Sequence, residues 1–498
     1  MRRLAMLLMI LLALLFAAGM TITACGPATP APTDPEDPED PEDPEDPEDP
    51  EDPDTNVVTF AVDDDVAWFG FQDGDGSWQF VPSGQTTEKT VDDASGRFSI
   101  AMVCEDDEAV EVDVIHGTLE SFALAGGAGP AGLAPQRALE SRSGLLPSQV
   151  GFERLDAGEA LPIECFPEFD PPEDPPETYS VTGEVRGVEV GEGGFVSMGV
   201  LRQDYFYNTA DEQRLRYGEG FNGLLPFSFS EGTYELVAVK GEWDELFEDM
   251  DLPPTHGLIV RDIEVIDDDV ERDIDFDAAD GFELVTDMVT IENVTPGDSA
   301  SGEVMFMLGG VFGPSVQLGS EHEFTAAEEW LEVTYGAFPM AETIDGENHL
   351  LFAEASDDSC MRSSTRAYRD PAALSSVTLR DCFDPAVDVA AQTPYLQTEF
   401  DLGPMSDAFF AGADFWQEDV NWFVMMTGDW LEHAGASYML PNFGGMQNWN
   451  DDWGLDAALA TEWEVMRFDA TEDWFDFFVG LPDLAEFDMV AVSGELEP

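Results

Sequence analysis

The sequence predicts an all-β fold: several antiparallel β-sandwich domains in tandem, behind a signal peptide and a disordered, acidic, proline-rich stalk. Three observations predict it. Short runs of β-branched and aromatic residues recur with turn residues between them, the pattern of strands joined by tight turns. Runs that favour helix are scarce, 326–335 and 456–464 being the best candidates. Two segments rich in proline and acid, 26–55 and 166–177, divide the chain into blocks of domain size.

The chain opens on Arg2 and Arg3, continues through an apolar run over 4–20, and reaches Ile22-Thr23-Ala24-Cys25. A basic start, an apolar middle and a small-residue end make residues 1–25 a signal peptide. The tetrad resembles the lipobox of bacterial lipoproteins, in which an aliphatic and two small residues precede the cysteine that is acylated and then exposed by cleavage. The resemblance implies that Cys25 carries fatty acyl chains such as palmitate and that membrane lipid is a partner. Each buried methylene contributes about 0.8 kcal/mol, so two or three chains make a lasting anchor. An uncleaved membrane helix is the alternative reading of the apolar run. Gly26 stands where an aspartate tends to keep proteobacterial lipoproteins in the inner membrane. The expected place is therefore the cell envelope, at the outer membrane or extracellular surface.

From Pro35 the triplet Pro-Glu-Asp repeats six times. Proline every third residue favours the polyproline II helix, and the repelling charges oppose collapse, so 26–55 should be an extended spacer. At about 3.1 Å per residue it would hold the folded part of the chain up to about 90 Å from the membrane. A low-complexity repeat of unimportant length is the alternative.

Acids number 106 and Lys plus Arg 19, for a net charge of −87. The stalk holds 14 of the acids and the leader two of the arginines, which leaves the folded part near about −75, far beyond what solubility needs. Lysine occurs only at Lys89 and Lys240. Concentrated salt screens such self-repulsion within a few ångströms, so the composition suggests a halophilic protein. Loading with divalent cations is the rival, through clusters such as Asp63-Asp64-Asp65 and Asp267-Asp268-Asp269. Either way the surface argues against nucleic acid as a partner.

Beyond Cys25 there are four cysteines, an even number that suggests two disulfides in an exported protein. Pairing by proximity gives Cys104 with Cys165 and Cys360 with Cys382, although three connectivities are allowed.

Taken in order, 56–165 forms a first sandwich with strands at Val57–Val62, 66–72, 77–82, 97–104 and 110–116, separated by turns such as Asp73-Gly74-Asp75-Gly76. After the linker 166–177 comes 178–295. There Gly183-Glu184-Val185, then Gly232-Thr233-Tyr234 leading into Ala238-Val239, resemble the carboxypeptidase-regulatory or transthyretin-like β-sandwich family. The resemblance covers about 100 residues and implies a non-catalytic spacer or binder; the long stretch 243–254 departs from the pattern. A β domain over 296–395 follows, with strands near 304–308, 331–335, 349–355 and 377–379. A tryptophan-rich β domain over 396–498 closes the chain with seven of its 11 tryptophans.

Residues that carry chemistry are harder to single out. The chain has no Gly-x-Ser-x-Gly, His-Glu-x-x-His or phosphate-loop motif. Gly218-Glu219-Gly220-Phe221-Asn222-Gly223 fits a dinucleotide pattern but leads into a strand with proline, so it reads as a loop. Asp73, Asp75 and Ser77 have the spacing of a calcium loop, and Ca2+ is the cofactor they would take; Trp78 and Gly84 occupy positions where such a loop needs glycine and glutamate. A hairpin turn is the simpler account. The five histidines are scattered singly. Trp449, Asp451, Asp452 and Trp453 could form a sugar platform, or be buried core.

No catalytic residues are assigned. The leading expectation is a non-enzymatic, lipid-anchored surface protein with a structural or ligand-binding role, its partner a glycan or another envelope protein. The alternatives are a carbohydrate-binding or adhesive module and an extracellular hydrolase whose paired carboxylates are hidden among so many acids.

Overall fold

In strand Arg97–Glu105 every side chain but the last is buried. Its alternate residues enter different cores, Phe98, Ile100, Met102 and Cys104 one, Ala101 and Val103 another. Successive side chains point to opposite faces, so this strand lies in a sheet covered on both sides. The computed structural model describes residues 56–105, 109–119, 121, 160–165, 178–199, 203–208, 215–217, 227–244, 249–250, 252–278, 281–308, 313–403, 408–470 and 484–498. Cys25 and the segments 1–25, 26–55 and 166–177 lie outside them, as do Trp474 and the glycine loop at 218–223.

The protein is mostly β, built of several sheets. The largest is 12-stranded. From one edge it runs through Ser315–Glu323, Ser299–Met307, Asn348–Ser356 and Cys360–Tyr368, then Leu484–Leu496, Thr461–Ala470, Ala408–Trp416 and Val420–Thr427. It ends with Val110–Thr118, Arg97–Glu105, Trp68–Asp73 and Gln79–Val81. Neighbours are antiparallel except Val420–Thr427, which lies parallel to Val110–Thr118. Strands from 56–165, 296–395 and 396–498 are thus hydrogen-bonded side by side.

Three small sheets cover this large one. Val57–Val62, flanked by Gln85–Thr90 and Leu161–Ile163, packs Phe60 and Val62 against Phe69, Phe71 and Ile100. Gln397–Asp401, with Asp388–Ala391 and Ser437–Met439, packs on the opposite face, where Phe400 meets Phe415 and Leu440 joins Trp422 and Val424. Val285–Glu292, with Trp330–Ala337 and Ser376–Thr378, buries Val289, Ile291, Leu331 and Val333 against Val304, Phe306, Leu351 and Ala353.

The second and third small sheets share one face of the large sheet. Residues in direct register lie on the same side, and Ala411, Arg467, Val490, Arg362, Ala355 and Ala300 form one such row across six strands. Its ends belong to the two apolar cores, and its middle carries arginine.

Residues 178–283 contain a seven-stranded sheet in which Gly232–Asp244 is central. Leu236 and Ala238 enter the core shared with Val181, Val196, Ile263 and Ile274. Val237 and Val239, on the other face, join the core of the third small sheet. Cys104–Cys165 and Cys360–Cys382 lie at disulfide distance, 2.10 and 2.01 Å between sulfurs.

Both helix candidates are corrected. In Trp330–Ala337 exposed and buried residues alternate up to Tyr335, and that period of two outweighs the helix formers before it. Residues 456–464 run instead from a turn into strand Thr461–Ala470. The described α-helix is Gly428–Ala434, begun after Thr427 and stopped at Gly435. Among the described residues no helix is long and apolar enough to cross a membrane.

Candidate ligand-binding cleft

The sheet of Val285–Glu292, Trp330–Ala337 and Ser376–Thr378 gives its inner face to the core, so the alternate residues must face outward. Register aligns Trp330, Glu292 and Thr378 in one outer row and Glu332, Thr290 and Ser376 in the next. Trp330 is 44 % exposed, the most open of the described tryptophans. It stands at a cleft of about 850 Å³ whose walls include Glu292, Glu332, Glu329, Thr290 and Asp381.

The walls are held from behind. Asn293 turns the chain with φ of 68°, a conformation asparagine tolerates, and its Nδ2 donates to the Leu379 carbonyl at 2.8 Å and to Asp381 at 2.9 Å. Buried Arg362 donates to the Asn293 carbonyl at 2.6 Å and pairs with Asp298 at 2.5 Å. Thr378 Oγ1 donates to Glu292 at 2.9 Å. The Cys360–Cys382 bridge ties the wall next to Asp381 to the large sheet. An indole face ringed by hydroxyls and carboxylates on a braced sheet can stack on a flat apolar surface and accept hydrogen bonds around it.

The loop at Asp73, Asp75 and Ser77 is occupied by the protein itself. Arg97 reaches Asp75 and Asp93 at 3.1 Å each, while Asp73 accepts the amides of Asp92 and Asp93. Burial pushes the Asp93 carboxyl upward, but hydrogen bonds from Ser95 and Arg97 outweigh it and hold it well below the usual carboxylate range. A guanidinium thus takes the position of a cation beside Asp75. Among the described residues no group of three His, Cys, Asp or Glu side chains is placed to hold a metal ion.

Trp449 and Trp453 sit in the core beneath the second small sheet. Trp453 is 7 % exposed, and its Nε1 donates to Glu105 at 3.4 Å. The ring of Trp449 meets Trp68, Phe443 and Trp453 at 5.2, 4.9 and 5.4 Å between centroids. Asp451 and Asp452 lie between them on an exposed turn capped by Asn450. Sequence reasoning followed the density of tryptophans and passed over Trp330, whose signal was local: an indole at an outward position of an alternating strand.

Other polar groups are deeply buried. Ser99 Oγ lies 2.6 Å from His116 Nδ1, and Tyr438 Oη lies 2.7 Å from His116 Nε2. This resembles a nucleophile beside a base, yet Ser99 is 1 % exposed and Trp430 lies over the imidazole at 4.5 Å. Burial lowers His116 to about 3, so the ring stays neutral. Between the two cores, Arg366 and Arg380 hold Asp488 at 2.8 and 3.0 Å, and Arg467 holds Asp469 at 2.8 Å. Burial raises Glu354 and Glu464 to about 7. Glu464 stands opposite Asp414 in register.

Fold and cleft together define a mostly-β, multi-sheet protein with an open, braced cleft on the outer face of a small sheet. No protein-family model matches the chain, and no curated protein matches it in sequence.

Proposed function

We propose that this chain is a lipid-anchored cell-envelope surface protein, adapted to high salt, with a non-catalytic, ligand-binding role. The observation that carries the binding role is the exposed Trp330 in the braced cleft. An indole and several acceptors converging on one cleft is the make-up of a binding surface. The leader and lipobox-like tetrad support the anchor, and the excess of acids supports the salt adaptation.

The binding role is tested with a soluble form that begins at Gly26, lacking the leader and Cys25, co-sedimented with isolated envelope in molar sodium chloride. This soluble form should sediment, and the same form carrying Trp330→Ala should stay in solution; equal sedimentation would sink the proposal. Incorporation of labelled palmitate by the native chain, and its loss in Cys25→Ser, tests the anchor. Melting curves against sodium chloride, with and without calcium, test the salt adaptation, and stabilisation by millimolar calcium alone would overturn it.

A further inference from the structure

We infer that the cleft at Trp330 takes a neutral oligosaccharide; this rests on the ligand-binding reading above. Three properties of the cleft point to that class. It is open and lies along a sheet face, with Trp330 and Glu292 as direct cross-strand neighbours and Glu332 and Thr290 as the next pair. That shape suits an extended chain of rings more than an enclosed small molecule. The chemistry is one apolar face with a polar rim, the complement of a pyranose, which has a C–H face and a belt of hydroxyls. Carboxylates accept only, so Glu292, Glu329, Glu332 and Asp381 can take hydroxyl protons in short, charge-assisted bonds.

The same four carboxylates select within the class. The carboxylate of a uronate has no proton to donate to these four and would set acceptor against acceptor, so neutral sugars are favoured. A cationic ligand would suit the carboxylates, but its attraction is largely electrostatic and is screened within about 3 Å in molar salt. Stacking and hydrogen bonding to a neutral ring persist under those conditions. The bracing by Arg362 and Asn293 lowers the ordering cost of binding, because the walls are already in place.

The test uses the same soluble form, beginning at Gly26, on an array of neutral and acidic oligosaccharides in molar sodium chloride, with titration calorimetry on the best binder. Spermidine and an oligolysine peptide serve as cationic comparators. The expected result is a neutral glycan whose affinity falls at least about tenfold with Trp330→Ala and less with Glu292→Gln. Met288→Ala, on the same sheet face outside the cleft, should leave affinity unchanged, and the circular dichroism of all three variants should match that of the unsubstituted soluble form. Binding of the comparators alone, lost with Trp330→Ala and abolished by salt, would overturn the sugar class while leaving a ligand-binding cleft. Glycan binding indifferent to Trp330→Ala would overturn the site. If the array shows no binding, while envelope sedimentation still depends on Trp330, the sugar class fails and the binding role stands. If both are negative, both readings fail.

Discussion

Arg362 lies where the cleft wall, a buried ion pair and the large sheet meet, so its replacement by methionine tests the packing directly. The side chains of Arg362 and Asp298 are 4 % and 7 % exposed and lie 2.5 Å apart. Arg362→Met leaves the Asp298 carboxylate buried without its guanidinium, which costs about 3–5 kcal/mol. The Asn293 carbonyl also loses its 2.6 Å donor, about 1 kcal/mol more. Urea unfolding in molar sodium chloride, followed by tryptophan fluorescence, should show a loss of about 5 kcal/mol. The double variant with Asp298→Leu should recover to within about 2 kcal/mol of the native protein, because no charge is then stranded. Salt should change the loss little, since water and ions do not reach the pair. Arg369 pairs with Asp345, whose side chain is 97 % exposed, and Asp345→Ala should stay within about 0.5 kcal/mol. A loss below about 1 kcal/mol for Arg362→Met, or a double variant no more stable than the single one, would refute the reasoning.

Three further outcomes are expected. Burial raises Glu464 to about 7, so its contribution is complete below its unfolded value near 4.5 and is lost as pH rises through 7. Glu464→Gln should therefore stabilise by about 1–2 kcal/mol at alkaline pH and do nothing in acid, as pH-dependent urea curves would show. Burial lowers His116 to about 3; its contribution is complete above the unfolded value near 6.5 and drains as pH falls, by up to about 1.4 kcal/mol per unit. The His116→Gln variant should show a shallower acid limb in the same measurement. Trp453→Ala should cost about 3–5 kcal/mol as a core truncation, against under about 1 kcal/mol for the half-open Trp330→Ala, both read by thermal melting.

Local patterns carried much of the architecture. The reading of Val57–Val62 matches the strand, and that of 97–104 and 110–116 falls one or two residues short of the strands Arg97–Glu105 and Val110–Thr118. These are runs whose own alternation and turns specify them. What was not legible is which strands meet. Nothing local to Val110–Thr118 says that its neighbour is Val420–Thr427, because that choice depends on two faces being buried at once. The candidate site failed to show for a related reason. Composition drew attention to Trp449 and Trp453, but large aromatics concentrate in cores as readily as on platforms, and the outward position of Trp330 shows only in the alternation of its own strand. Asp73 and Asp75 had the spacing for a cation, while the cation in place comes from Arg97 at the start of a neighbouring strand.

The parallel pairing of Val420–Thr427 with Val110–Thr118 bears on how the chain reaches its native state. Glu105 receives its hydrogen bond from Trp453, 348 residues later. A chain delivered from its N-terminus therefore presents the hairpin of Arg97–Glu105 and Val110–Thr118 long before the neighbour that covers its edge arrives. Until then that edge is open to mispairing, and loop closure over such a span is slow. The large sheet can therefore close only after most of the chain has been made. A chain stopped before residue 420 would keep an uncovered strand edge, and aggregation, rather than a smaller working fragment, is its expected fate.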